Sequence, residues 1–374
     1  MDDLRELARR RLPAGVFDYV DGGADDELTL RRNIAAFHDV EFTPRVFRDV
    51  AAVDTSTTLL GRSIPAPLLL APTGFTRIVD SQGELAVARA AARAGLPYAL
   101  SIMATRSIEE VAEVSNGPKW LQISSWHDRS LVEDLLQRAC DSGYEAVALG
   151  VDTPVLGRRE RDVRRGFTLP PAVGLSTIID GLRHPGWTWE FLRGEPITFS
   201  AVADRAGASA VSLGQYLNSQ FDASVSWSEV EWLRSVWNGP VVLKGIQSVA
   251  DAELARDHGV DAIVLSNHGG RQLDGSPPIL ELIEPVAQAV GGDLDIVADG
   301  GVRRGSDIVK AVALGATAVG VGRAYLYGLA AGGESGVDHV LGLLTDGMRR
   351  TMALTGCGSI DDIPADVVSW RNGR

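Results

Sequence analysis

At 374 residues, 45% of them hydrophobic, the chain can bury a large core and has the length of a single α/β barrel domain. A formal net charge of −13 keeps such a chain soluble and excludes a general nucleic-acid binder. No apolar run reaches the ~18 residues of a spanning helix. Cys140 and Cys357 have neither metal-ligand nor redox-motif spacing, so no metal site and no disulfide framework is expected, in keeping with a reducing, cytoplasmic compartment. Asp2 and Asp3 stand where a signal peptide would carry basic residues.

Residues 3–37 read as a helical cap. Leu4, Leu7, Leu12, Val16 and Phe17 recur at near-helical spacing, Pro13 interrupts them, and Gly22 with Gly23 separates two further helical stretches. Tyr19 precedes that break, where a phenol serves equally as a packing group or as an inward-pointing donor. Residues 38–66 have mixed β character without alternation and read as a connecting segment. From Pro67 the pattern becomes regular. Apolar runs fall at 67–72, 97–101, 119–124, 146–152, 240–245, 261–267, 295–301 and 318–323. Helical stretches at 84–95, 130–143, 249–259 and 306–315 lie between them. Eight strand–helix alternations predict a closed (β/α)8 barrel over residues 67–356 rather than an open doubly wound sheet, in one domain spanning 1–374.

Barrel active sites lie where the strands end at the C-terminal face. Those ends carry Pro72, Thr73 and Gly74; Ser101 with Met103; Gln122 with Ser124; and Asp152. The later strands add Lys244, then Ser266 with His268 and Arg271, then Asp299 with Gly300 and Gly301, then Gly322 with Arg323. The run DAIVLSNHGGRQLDG at 261–275 concentrates the chemistry. An imidazole can take a proton near neutral pH, and a guanidinium can grip a carboxylate with two parallel bonds. Acid–base group and carboxylate anchor at one strand end suggest chemistry on a small carboxylic acid. ADGGVRRG at 298–305 and VGVGRA at 319–324 place glycine amides and helix starts after strands seven and eight, where barrels often bind phosphate, with Arg303 and Arg323 adding charge. The same glycines also serve as plain tight turns.

These motifs, together with VDTPVLGRRE, LKG and LPAGVFDYVDGGADDELTLRRN, make the chain resemble the FMN-dependent L-2-hydroxy acid dehydrogenase/oxidase family. That family includes glycolate oxidase, L-lactate dehydrogenase and oxidase, and mandelate dehydrogenase. The resemblance implies FMN as cofactor and oxidation of a 2-hydroxy acid to the 2-keto acid, with oxygen, a quinone or another carrier as electron acceptor. It implies His268 as base, Asp152 as its orienting carboxylate, and Lys244 beside the flavin N1 side. Arg159 and Arg271 match the substrate-carboxylate clamp, and Tyr19 a substrate-bonding tyrosine. Pro72, Thr73, Gly74, Ser101, Gln122 and Ser266 match isoalloxazine contacts, and Asp299 a ribityl contact. Gly300, Gly301, Arg303, Gly322 and Arg323 match the phosphate site. It also implies a homo-oligomer, a tetramer.

The chain departs from that pattern at Ser124, where many relatives have a tyrosine, at Met103, where many have an aromatic residue, and at Gly150, where a threonine is common. All three shrink or soften the pocket wall and predict a bulky, aromatic or branched, substrate. The loss of the tyrosine leaves open a variant chemistry on the same flavin barrel (amine or modified-peptide oxidation, or oxygenation) and a flavin-binding protein without turnover. Trp126 is an uncertain substitute for it. The long segment 153–225 after strand four reads as a lid or insertion. Its stretch TIIDGLRHPGWTWEFLRG at 177–194 suits a packed lid, a subunit contact or a peripheral contact with the inner face of a membrane.

Overall fold

The computed structural model describes residues 1–165, 180–195, 197 and 221–371. The eight apolar runs form eight parallel strands that close into a barrel. They are β1 (Leu68–Leu70), β2 (Tyr98–Ser101), β3 (Lys119–Ser124), β4 (Ala146–Gly150), β5 (Val241–Ile246), β6 (Ala262–Ser266), β7 (Asp295–Asp299) and β8 (Ala318–Val321). Closure is made by β8 on β1, with Val319 opposite Leu68 and Val321 opposite Leu70. The strands read as continuous apolar runs because both faces are covered. One face packs outward on the helices. The other fills the barrel with Leu69, Ala99, Trp120, Ala148, Val242, Val264, Val297 and Ala318, a packed interior rather than a pore.

The helices between strands fall where the 3.6-residue spacing places them, at Glu84–Arg93, Arg129–Asp141, Val249–Asp257 and Gly305–Ala313. The amino-terminal cap forms as three helices, Asp2–Arg11, Ala14–Asp21 and Leu28–Ala35, broken at Pro13 and at Gly22–Gly23. The connecting segment 38–66 has more structure than its sequence suggests. Val40–Phe42 pairs antiparallel with Val368–Trp370 near the carboxyl end. Thr57–Leu59 and Arg62–Ile64 form a hairpin whose Leu59 and Ile64 join the interior cluster of the barrel. Strands of three residues are too short to show alternation, which is why the sequence pattern is silent there.

Of the long segment 153–225, residues 166–179, 196 and 198–220 lie outside the described residues, as do 177–179 of the Trp-rich stretch. The described part includes a helix, Pro185–Arg193, held against the barrel. Trp187 donates through Nε1 to the Ile78 carbonyl at 2.7 Å, and Arg77 donates to the Glu195 carbonyl at 2.7 Å. Among the described residues no helix is long and apolar enough to cross a membrane.

Candidate active site

A cavity of about 500 Å³ opens at the C-terminal ends of the strands, large enough for a cofactor and a small substrate. Around it stand Tyr19, Pro72, Thr73, Gly74, Ser101, Met103, Gln122, Ser124, Gly150, Asp152, Arg159, Lys244, His268 and Arg271. Asp299, Gly300, Gly301, Arg303, Gly322 and Arg323 complete that wall. The structure thus brings together the residues singled out from the strand ends and the cap. Ser266 stands behind the wall, fully buried, and acts as a joint. Its Oγ accepts from Lys244 Nζ at 3.2 Å and from the His268 backbone N–H at 3.1 Å, and donates to Asp299 Oδ2 at 3.2 Å.

His268 is the second residue after β6, beyond the buried Asn267, and its backbone has φ of +56°, a strained value for a side chain larger than glycine. Gly269 and Gly270 continue the turn with φ of +64° and +73°. Here glycine is required. A Cβ on Gly269 would sit 2.6 Å from Arg323 Nη1, and one on Gly270 would sit 2.5 Å from the Leu30 nitrogen in the cap. The turn aims the imidazole so that Nδ1 lies 3.1 Å from Asp152 Oδ2. Asp152 is 3% exposed. Burial alone would raise its carboxyl, but the charge and hydrogen bond of His268, with Lys244 and Thr153, hold it at about 2. The carboxylate is therefore ionised at neutral pH. It fixes the proton of the neutral ring on Nδ1 and leaves Nε2 as the acceptor.

Two guanidiniums flank Tyr19, with Arg159 5.5 Å and Arg271 5.0 Å from the ring centre. Arg271 donates to the carbonyls of Tyr19 and Gly22 at 2.7 and 3.0 Å. Burial, with the charges of Arg159 and Arg323, pushes it down to about 9, so it stays charged at pH 7. Arg159 is placed by the chain after β4. Gln272 bonds the carbonyls of Asp152 and Val155 and accepts from Gly157, while Asp25 N–H donates to the Arg158 carbonyl at 2.9 Å. Two cations beside an imidazole are an arrangement that can receive a carboxylate and take a proton from the carbon or hydroxyl next to it.

On the opposite wall, Lys244 is buried with its Nζ 3.4 Å from Asp299 Oδ2. Ser101 Oγ donates to Gln122 Oε1 at 3.1 Å, and Gln122 Nε2 donates to the Ile123 carbonyl at 2.7 Å. Thr73 Oγ1 lies 2.7 Å from the Tyr325 hydroxyl. Gly300 and Gly301 hold φ of +155° and +88° at the end of β7, just ahead of the helix that begins at Gly305. A Cβ on Gly322 would approach Thr73 alone, at 3.6 Å, so this rim opens to the cavity. Glycine amides, Arg303 and a buried lysine suit a planar cofactor with a terminal phosphate. Arg323 also carries a contact that its place at a strand end does not announce. Three of its N–H bonds go to the carbonyls of Val20, Gly269 and Gly22, so it also staples the cap to the barrel.

Several wall residues escape the sequence reading, Phe221 and Asp162 among them. Phe221 lines the cavity through an antiparallel bridge to Trp126. Trp126 itself is buried at 2% exposure and stands behind the wall, so it does not replace the missing tyrosine. Asp162 also lines the cavity. Nothing local in the sequence announces the bridge, since Phe221 lies within the long segment and Trp126 well before it. Asp162 is hidden in a run of alternating charges that resembles a solvated helix face.

Fold and site together define a barrel flavoenzyme that oxidises small hydroxylated carboxylic acids. The chain belongs to the FMN-dependent dehydrogenase family, whose model matches residues 8–370, and its cofactor is FMN, which when bound supplies a two-electron acceptor. It is 45% identical to a putative L-lactate dehydrogenase of Mycobacterium tuberculosis over 99% of this chain and 89% of that protein. It is 40% identical to a peroxisomal (S)-2-hydroxyacid oxidase of Arabidopsis thaliana, over 100% of this chain and 97% of that one. Among solved structures, that of the monotopic membrane protein (S)-mandelate dehydrogenase superposes with a TM-score of 0.96 at 38% identity, covering 99% of this chain and 98% of the other. The protein is an FMN-dependent 2-hydroxy acid dehydrogenase or oxidase of the lactate and mandelate type.

Proposed function

We propose that the preferred substrate is a bulky, aromatic or branched, L-2-hydroxy acid. The observation that carries this reading is the wall at the ends of β3 and β4. A Cβ on Gly150 would lie 3.8 Å from Ser124 Oγ, so the two smallest replacements stand side by side, and Met103 adds a pliable third. Phe221 offers an aromatic face to a substrate ring. In this reading Arg159 and Arg271 take the substrate carboxylate, Tyr19 bonds the substrate, and His268 Nε2 takes the hydroxyl proton while Asp152 stabilises the imidazolium. Lys244 faces the flavin N1 side, Pro72, Thr73, Gly74, Ser101 and Gln122 surround the ring system, Ser266 positions Lys244 from behind the wall rather than touching the ring, and Asp299 meets the ribityl chain. Gly300, Gly301, Arg303, Gly322 and Arg323 meet the phosphate. The test is anaerobic bleaching of the bound flavin with a panel of hydroxy acids. Mandelate-sized acids are expected to exceed lactate and glycolate in kcat/KM by about 10–200-fold. A preference for lactate, the substrate in the name of the Mycobacterium relative, would overturn the bulky-substrate reading. No bleaching by any acid would move the assignment to a variant chemistry.

The exposed side of the Pro185–Arg193 helix, with Leu182 just ahead of it, supports a peripheral membrane contact at the cytoplasmic face. Leu182, Trp189 and Leu192 are 75%, 58% and 73% exposed, and Arg193 lies 4.0 Å over the Trp189 ring, a composition suited to the lipid headgroup region. Trp187 and Arg77 meanwhile hold the inner side as a lid would. Sedimentation with anionic vesicles should lose protein when Trp189 and Leu192 are changed to Ser. A homotetramer and an acceptor that is oxygen, a quinone or another carrier complete the proposal. Light scattering and turnover with each acceptor test them.

A further inference from the structure

The cations of the pocket are unequally partnered. Arg271 and Arg323 donate to backbone carbonyls. Arg159 instead has a carboxylate, Asp162, 3.6 Å from its Nε and one helical turn further on. The other charges of that turn are engaged elsewhere: Arg161 with Asp21 and Glu27, Arg164 with Glu160, and Arg165 with Asp18. Asp162 alone of them is an acid at the cavity, 14% exposed. Its Oδ1 is buried without a hydrogen-bond partner among the described residues, an arrangement that costs stability and calls for a reason. Burial raises its carboxyl above the usual range, Arg159, Arg271 and Arg161 oppose that rise, and Asp18 adds to it.

We propose that Asp162 matches the carboxylate clamp to a single negative charge. Arg159 and Arg271 together carry two positive charges, and Asp162 cancels one. Lys244 and Asp299, 3.4 Å apart, offset each other on the far wall. A monocarboxylate then neutralises the clamp, whereas a dicarboxylate leaves an unpaired charge in a low-dielectric site. Asp162 is a specificity-determining residue that acts through the arginines. The inference rests on the reading that Arg159 and Arg271 receive the substrate carboxylate.

The test compares two ligands of nearly identical frame, the monoanion oxamate and the dianion oxalate. Their dissociation constants are read from the flavin absorbance of the FMN-loaded protein at pH 8, a measurement independent of turnover. In Asp162→Asn and in the smaller Asp162→Ser, the ratio of the oxamate to the oxalate constant is expected to rise about tenfold over wild type. Asp162→Glu, which keeps the charge, should stay within about twofold of wild type. An unchanged ratio in charge-deleted protein that retains FMN overturns the proposal. If neither anion perturbs the wild-type flavin, the clamp reading itself fails. A second measurement needs no variant. Wild type should oxidise the 4-methyl ester of 2-hydroxysuccinate at least about tenfold better than the free dicarboxylate, and equal kcat/KM would also overturn the assignment.

Discussion

Replacing Asp152 with Asn tests the base most directly, because it removes a charge and leaves the shape. The amide oxygen can still accept from His268 Nδ1, so the ring should keep its place. The lost term is the attraction between the carboxylate and the imidazolium that forms once the proton is taken. A unit charge at the observed 3.1 Å, at an effective dielectric of about 20, is worth ~5 kcal/mol. The His268 side chain is 42% exposed, so water screens part of this, and a loss of about 3 kcal/mol is the working figure. That corresponds to a fall of about two orders of magnitude in the rate of flavin reduction. The assay is anaerobic stopped-flow at saturating hydroxy acid, with FMN content checked beforehand. KM should move little, since both arginines are untouched. A fall of less than about fivefold, or a loss confined to KM, would refute the role of Asp152.

His268→Gln should retain FMN and lose flavin reduction by about two to four orders of magnitude; near-normal stopped-flow rates would assign the proton to another residue. Ser124→Tyr, and Met103→Trp through volume alone, should shift the ranking of acids toward lactate and glycolate, and an unchanged ranking in kcat/KM would remove the enlarged-pocket argument. Acid stability provides the fourth test. Burial would raise Asp21, but Arg5, Tyr327 and Arg161 hold it at about 2, so its folded value lies below the unfolded one. Its contribution, about 2 kcal/mol, is therefore complete above the ordinary carboxylate range and is lost as pH falls from about 4 toward 2. Asp21→Asn should lower Tm at pH 7 and flatten the fall of Tm with acid, and parallel Tm curves for both proteins would contradict this.

The barrel is legible because its strands are buried on both faces and so appear as unbroken apolar runs, each ending abruptly in a polar or glycine residue. The site is legible for the same reason, since the residue after each run is committed to one rim. What escapes has no period to reveal it. Phe221 reaches the pocket through a single bridge to Trp126, a contact across almost a hundred positions with no local signature. Asp162 is indistinguishable from its solvated neighbours until the cap folds over it. The hairpin at the barrel interior contributes Leu59 and Ile64, with Leu60 packed against them, too few residues to set a pattern. The bonds of Arg323 to Val20 and Gly22 cannot be inferred from a Gly-Arg at a strand end.

The staple between cap and barrel also sets an order of events during synthesis. Arg271 and Arg323 reach back to carbonyls of residues 19–22, and the Gly270 carbonyl accepts from Ala24. The first strand finds its closing neighbour only when Val319 has been made, and Val40–Phe42 is paired by the last strand, Val368–Trp370. The opening residues must therefore wait, unpaired with their final partners, until nearly the whole chain has left the ribosome. Contacts of such sequence separation form slowly and leave apolar surface open meanwhile. The cavity wall is likewise incomplete until β8 and Arg323 have joined it. Until then the cap holds open the apolar side chains of Leu12, Val16 and Phe17, which the folded protein buries.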